Sequence, residues 1–183
     1  PQKLRPNHLS LNNKLARGLW KVVCTLLYRP SPRPLHAWRA LLLRVFGAKI
    51  GSGVRLYPSV RIWAPWNLEM GDRSCLGDWV DCYSVDKVIL GAGATVSQYS
   101  FLCTASRDYT DTAMPLITAP LTLGEKSWVT VDVFVGPGVT VGDGAVITAR
   151  SSVFSDIPAW TVASGNPAVV KKARPFTSKA SAN

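Results

Sequence analysis

The stretch Leu123-Gly-Glu-Lys-Ser-Trp-Val-Thr-Val-Asp-Val-Phe-Val-Gly-Pro-Gly-Val-Thr-Val-Gly-Asp-Gly-Ala-Val-Ile147 places an aliphatic residue at every sixth position: Leu123, Val129, Val135, Val141 and Ile147. Stepping outward by six, with two short resets and one long one, extends the series. It runs Ile50, Leu56, Ile62; Met70, Leu76, Cys82; Leu90, Val96, Leu102; then Leu123, Val129, Val135; and Val141, Ile147, Val153. Gly follows seven of the fifteen, and the fourth residue after twelve of them is Ser, Ala, Val or Thr; Trp66, Asp86 and Ile157 are the exceptions. Neither a 3.6-residue helical period nor the alternation of long strands produces this register. A chain wound as a triangular prism does. Three short strands make one coil, and equivalent residues of successive coils stack about 4.8 Å apart. The aliphatic residue points inward, the following Gly relieves crowding at the turn, and the narrow interior admits only a small residue at the second inward position.

Coils begin at residues 50, 70, 90, 123 and 141. Two extra residues precede the second and third coils, and an excursion around residues 107–120 separates the third from the fourth. An insertion in a repeat array maps to a loop on one face, often the binding face. The expected organisation is therefore a basic helical arm over residues 1–49, a β-solenoid over 50–158 with the inserted loop at about 107–120, and a C-terminal extension over 159–183.

Residues 1–50 hold ten Lys/Arg and no Asp or Glu, so they carry all of the formal +10 charge. These cations are interleaved with aliphatic and Trp positions rather than gathered in a polar stripe, which argues against a nucleic-acid partner. The apolar run 22–28 is far shorter than the roughly 20 residues that span a bilayer, and no small-residue cleavage site adjoins it. The four cysteines have no CxxC pairing and no nearby histidines, so they read as reduced cytoplasmic thiols with no metal site.

Residues 13–28 and 35–46 read as two α-helices separated by Pro30-Ser-Pro-Arg-Pro34 and closed by Gly47. In the first, Leu15, Leu19, Val22, Val23, Leu26 and Leu27 form one apolar face. In the second, Trp38, Leu41, Leu42 and Val45 do the same, with Arg39 and Arg44 flanking. Their expected role is to cover the open strand edges at the start of the solenoid. A peripheral membrane contact through residues 1–46 is a second role for a basic, Trp- and Leu-bearing arm. Beyond Asp156 the chain is expected to leave the hexad and end as a basic tail.

The [LIV]-G-x-x-[STAV]-x hexads resemble the hexapeptide-repeat acyltransferases, whose solenoids are left-handed parallel β-helices. Further likeness lies in Arg29-Pro-Ser-Pro-Arg-Pro-Leu-His36, Phe46-Gly-Ala-Lys-Ile-Gly51, Ile62-Trp-Ala-Pro-Trp-Asn-Leu-Glu-Met-Gly71, Leu116-Ile-Thr-Ala-Pro120 and the ending Ala163-Ser-Gly-Asn-Pro-Ala-Val-Val-Lys-Lys172. Together these are similar to the colanic acid biosynthesis acetyltransferases over roughly residues 12–174. The resemblance implies an all-β solenoid with a helical N-terminal arm, acetyl-CoA as donor, a homotrimer with active sites between subunits, and a surface-polysaccharide glycan or its lipid-linked precursor as acceptor. By position, it implies that Ala149 and Ser155 line the pantetheine arm, and that Lys171, Lys172 and Arg174 lie near the phosphates of the donor.

Moving an acetyl group from a thioester to a sugar hydroxyl needs a base that takes the hydroxyl proton during attack, and an imidazole suits that task near neutral pH. The family's histidine stands in a segment like Leu-Cys-Thr-x-Ser-His-Asp-Tyr. This chain reads Leu102-Cys-Thr-Ala-Ser-Arg-Asp-Tyr109. A guanidinium has no lone pair to accept a proton, so Arg107 cannot stand in for the imidazole. Asp108 and Asp111 are candidates only if burial raises their affinity for a proton; loop capping is the commoner role for such residues. Three readings stay open: a member with lost or altered catalysis, a His→Arg change in an active enzyme, or a base located elsewhere.

On the acceptor side, Gly77-Asp-Trp-Val-Asp-Cys-Tyr-Ser-Val-Asp86 is polar and aromatic where a plain solenoid is bland. Stacking of coils is expected to bring Asp81, Tyr83 and Asp86 toward the inserted loop, with Trp79 packing on a sugar face. A zinc hydratase on the same solenoid needs three convergent histidines, and only His8 and His36 exist, both before the coils. A non-catalytic protein that binds CoA, glycan or membrane is the remaining alternative.

Overall fold

The structure is a computed structural model that describes residues 4–6 and 10–175. The hexads fold as expected into a parallel β-solenoid of three faces. The first face stacks Lys49–Ile50, Leu68–Met70, Val88–Leu90, Leu121–Leu123 and Thr140–Val141. The second begins at Arg55–Leu56 and Cys75–Leu76, and the third at Arg61–Ile62 and Asp81–Tyr83. The register pairs each aliphatic residue with its counterpart one coil on: Ile50 with Met70, Met70 with Leu90, Leu90 with Leu123, and Leu123 with Val141. These residues, with Val60, Val80, Ala94, Val133, Val139 and Ala145 at the second inward position, form one buried core. Where Ser fills that second position its hydroxyl is satisfied inside the coil: Ser74 donates to Gly71 O and Ser127 to Gly124 O, both at 2.7 Å.

Two local expectations change. Glycine after the first-face aliphatic residue is required by close approach rather than by turn geometry. A Cβ on Gly91 would stand 2.6 Å from the backbone N of Glu125, and one on Gly71 2.6 Å from that of Ala92. The left-handed turn falls two residues later and is held mostly by non-glycine residues, among them Arg73, Trp79, Tyr99, Lys126, Asp132 and Arg150, with φ of 54–64°. At the wide corners after Ile62 and Cys82, the two added residues move the inward position forward. Ala64 and Ser84 are buried there, bonded to each other at 3.0 Å, in place of the bulky Trp66 and Asp86.

The excursion is a β-hairpin, not an irregular loop. Ala105–Arg107 pairs antiparallel with Leu116–Thr118, and the coil resumes where Ala119 N–H donates to Thr104 O. Ser106, expected as a small inward residue, is therefore exposed. Arg5–Pro6 adds a third antiparallel strand on Leu116–Thr118.

The C-terminal segment does not leave the solenoid at Asp156, contrary to expectation. Ile157 bridges Val141 and Ala163 pairs with Ile147, so the hexad continues into a sixth turn across residue 158, then folds back as the antiparallel pair Thr161–Gly165 and Ala168–Ala173. The signal was Ile157 itself, 16 rather than 18 residues after Val141.

Two helices cover the other end. The first, α1, spans Leu11–Val23 with Ser10 as N-cap and continues through a wider turn at Cys24–Tyr28; the second, α2, spans His36–Val45. Each aliphatic residue of a coil aims its carbonyl back at the preceding coil, where the residue after that coil's aliphatic position donates an N–H. Gly51 N donates to Met70 O in this way, Gly77 N to Val96 O and Trp63 N to Cys82 O. The first coil has no predecessor, and the helices supply side-chain donors instead. Arg44 Nη2 donates to Ile50 O at 2.8 Å, Arg39 Nε to Leu56 O at 2.7 Å, and Trp20 Nε1 to Ile62 O at 2.8 Å. Arg39 is fully buried, not flanking. Its other nitrogens bind the Ser31 hydroxyl and the carbonyls of Pro32 and Arg33, which fixes the proline-rich turn, and burial pulls its proton affinity down.

Three stability outcomes follow in urea unfolding. Gly91→Ala drives a Cβ into the next coil's backbone and lowers stability by about 2 kcal/mol or more, whereas Gly18→Ala, in α1 with no atom near its Cβ, raises it by about 0.5–1 kcal/mol. Arg39→Met, which keeps the length but removes every donor, costs about 2–4 kcal/mol because it strips the buried bonds to Leu56 O and the Ser31 hydroxyl together with those to the Pro32 and Arg33 carbonyls.

Candidate active site

The hairpin leaves the solenoid at the corner between the third and first faces. Its root is fixed by Thr104, whose hydroxyl donates to Tyr83 O at 2.8 Å and accepts from Asp86 N–H at 2.9 Å. Of the expected acceptor-side residues, Tyr83 and Asp86 thus lie at the hairpin root. Tyr83 is in register with Cys103, and its ring packs edge-on against Trp63 at 5.6 Å. Asp86 accepts from Lys87 N–H at 2.7 Å.

Asp81 lies on the outer side of the third face, paired with Arg61 at 3.1 Å, in a cleft against α1 that Arg17, Lys21 and Arg29 also line. Burial raises its proton affinity, and Arg61 partly offsets this. Trp79 is apart from these three, at the corner between the second and third faces. It projects into solvent beside Tyr99, one coil on, over a cleft of about 740 Å³ that includes Asp78 and Gln98. Tyr99 had no part in the sequence reading. Its signal is its position, three residues after an aliphatic one, where the chain turns left-handed and pushes the side chain outward.

Within the hairpin, Arg107 pairs in register with Leu116, is exposed, and donates from Nη1 to Met114 O at 3.0 Å. Asp108 caps the loop: its Oδ1 accepts from Thr110 Oγ1 at 2.6 Å and Thr110 N–H at 3.0 Å, and these bonds hold the carboxyl below the usual range. Asp111 accepts from Ala113 N–H at 2.8 Å in the same manner. Both carboxylates are thus spent on capping the loop. His36 is committed to the cap, its ring against the Leu56 backbone and Tyr57, and His8 lies outside the described residues. Among the described residues no group of His, Cys, Asp or Glu could hold a metal ion.

The residues expected along the donor divide among the corners. Ala149 is exposed at the corner between the second and third faces, beside the turn of the C-terminal hairpin, where Ser151 Oγ accepts from Gly165 N–H. Ser155, six residues on, is exposed at the same corner as the hairpin root. Lys171 and Lys172 are exposed on the last strand, with Lys172 opposite Val162. Arg174 is tied down, its Nη1 donating to Gly144 O at 2.7 Å and Lys126 O at 3.2 Å.

The chemistry available is thus a hydrogen-bond donor on an exposed hairpin, a partly buried carboxylate, aromatic rings on two corners, and exposed cations on the last strand. Comparison with known proteins gives this geometry a family, although no family profile matches the chain. The chain is 47% identical over 162 residues, 88% of its length and 89% of the relative's, to the protein named "Putative colanic acid biosynthesis acetyltransferase WcaF" of Escherichia coli K12. Among solved structures it overlays a maltose O-acetyltransferase from Clostridium difficile 630 at 25% identity (TM-score 0.75, 90% and 91% of the two chains). It also overlays a galactoside acetyltransferase in complex with coenzyme A at 22% identity (TM-score 0.83, 94% and 87%). The left-handed winding implied by the family resemblance is the winding of this fold. Identity at this level over nine-tenths of a relative's length, on the same solenoid, places the chain in the family: it belongs to the hexapeptide-repeat acetyltransferases, among the colanic acid biosynthesis acetyltransferases.

Proposed function

We propose that the protein binds acetyl-CoA and is built to transfer its acetyl group to a hydroxyl of a surface polysaccharide or its lipid-linked precursor. It would work as a homotrimer at the cytoplasmic face of the membrane, with a step at position 107 that this chain performs poorly or not at all. The observation that carries this reading is Arg107 on the hairpin, a donor held by Met114 O, with no imidazole beside it among the described residues. In the full reaction the sugar oxygen bonds to the thioester carbonyl carbon as a base takes its proton. The tetrahedral intermediate then expels the CoA thiolate, which recovers that proton and leaves as the thiol. Arg107 can donate to the developing oxyanion but cannot receive the proton, and Asp108 is too well stabilised as an anion to be a strong base.

The separation of Ala149 from Ser155 supports a site shared between copies. They stand at opposite corners of one face, so side-by-side prisms would set one copy's Ala149 corner against another's Ser155 corner. Their small exposed side chains leave room for a pantetheine arm, and Lys171 and Lys172 are exposed for its phosphates, whereas Arg174 already serves backbone carbonyls. A ladder of rings up the third face, Tyr83, Phe101, Phe134 and Phe154 with centroids 5.5–6.2 Å apart, gives neighbouring copies apolar surface to pack on.

A non-catalytic binding protein is the second reading, and Arg107 is what favours it. Acetyl transfer to oligosaccharide acceptors separates the two. Arg107→His is expected to raise turnover about 10²- to 10⁴-fold, with a rate that climbs through roughly pH 6.5–7 as the imidazole loses its proton. Equal turnover in both forms would remove position 107 from the chemistry. Glycan binding without turnover in either form would favour the binding protein.

A further inference from the structure

The helices turn most of their apolar stripes away from the solenoid, keeping Val23 and Leu42 of them on the packed side. In α1 and its continuation, Trp20, Val23, Cys24 and Tyr28 turn toward the first coil, while Leu11, Leu15, Leu19, Val22 and Leu26 are 54–70% exposed. In α2, Arg39, Ala40, Leu42 and Leu43 turn inward, and Trp38, Leu41 and Val45 outward. Ten of the twenty large apolar side chains exposed among the described residues fall between residues 11 and 45. Trp38 joins the two stripes, its indole donating to Leu27 O at 3.1 Å. A continuous apolar surface of this kind on a folded protein marks a place that something covers.

Charge says what covers it. The first acidic residue of the chain is Glu69. With about 100° per residue, Lys14, Lys21 and Thr25 share one line along α1, immediately beside the leucines. Behind that line, the cleft between α1 and the third face holds Arg17, Lys21, Arg29 and Arg61 against the single carboxylate of Asp81. A second copy laid on the stripe would bring lysines onto lysines with no carboxylate in residues 1–68 to offset them. An anionic bilayer surface offers acyl chains to the leucines and phosphates to the cations.

We infer that the outward faces of both helices form a peripheral docking surface for an anionic phospholipid bilayer, with the apolar stripe of α1 lying in the interface and Lys14 and Lys21 on the headgroups. No helix of the described residues is long and apolar enough to cross a membrane, so the contact lies in the plane of the surface. The inference names the surface behind the membrane-side location proposed above and does not depend on acetyl transfer.

Co-sedimentation of the full chain with vesicles of phosphatidylglycerol and phosphatidylethanolamine, and with phosphatidylcholine alone, tests it. The protein is expected on the anionic vesicles, released by high salt. Combining Leu15→Ser, Leu19→Ser and Leu26→Ser is expected to weaken binding at least tenfold while melting temperature and affinity for CoA stay unchanged, since these side chains touch solvent. Lys14→Glu with Lys21→Glu is expected to abolish the preference for anionic lipid. The inference falls if the parent chain stays in the supernatant or if the serine variant binds as well as the parent. It falls equally if that variant dissociates the oligomer in sedimentation velocity without changing vesicle binding, which would give the stripe to a second copy. Loss of CoA binding in the parent would instead strike the proposed function and leave this inference standing.

Discussion

A parallel solenoid has a polarity that its two ends cannot share. Every aliphatic residue of a coil points its carbonyl toward the N-terminal neighbour, so the first coil presents acceptors with nothing before them, and buried acceptors without donors are costly. The remedy must be a donor that brings no new acceptor. Guanidinium and indole nitrogens meet that requirement, and Arg44, Arg39 and Trp20 each take one strand of the first coil, at Ile50, Leu56 and Ile62. Part of the concentrated positive charge of the N-terminal arm is therefore structural. Arg39 exploits its other donors to lock the turn at Ser31 and Pro32, so the cap and the link between the helices are set by one side chain.

That constraint explains why the helical arm was misread in one respect and legible in another. Its place at the open end follows from the repeat alone, because strand edges there need covering. Its orientation does not, because amphipathic patterning assumes that the apolar stripe is the packed stripe. Here the groups the solenoid needs are donors, so the face carrying Trp20 and Arg17 in α1 and Arg39 in α2 turns inward, with Arg17 lying 4.1 Å over the Trp63 ring. The leucines are left outside. A helix with two apolar faces of different composition cannot be oriented from hydrophobic spacing, only from the bonding demand of what it caps.

The coils themselves were legible because a hexad encodes register directly: the inward residue, its partner one coil on, and the length of each excursion. Conformational detail at the corners was not, since nothing in the pattern distinguishes a glycine needed for close approach, such as Gly91, from a turn position at positive φ held by Trp79 or Tyr99. The sixth turn escaped notice for a related reason. Ile157 arrives two residues early and Ala163 is small, so the last turn looks like the end of the repeat while its backbone still pairs with Val141 and Ile147.

The hairpin at the candidate active site shows how chemistry and folding separate. Its backbone closes on itself through the pairing of Ala105–Arg107 with Leu116–Thr118, its tip is held by Asp108 and Asp111 on nearby backbone N–H groups, and its root by Thr104 on Tyr83 and Asp86. Arg5–Pro6 pairs along its outer strand, tying the start of the chain to the same element. Among the described residues, the side chain at position 107 adds a single bond to Met114 O, on the exposed side of the strand. The fold is indifferent to whether that residue donates or accepts a proton; the proposed acetyl transfer is not. On the proposed reading, a change from imidazole to guanidinium there touches the chemistry and leaves the hairpin intact, because position 107 is set by the strand pairing and the hairpin root rather than by its own side chain.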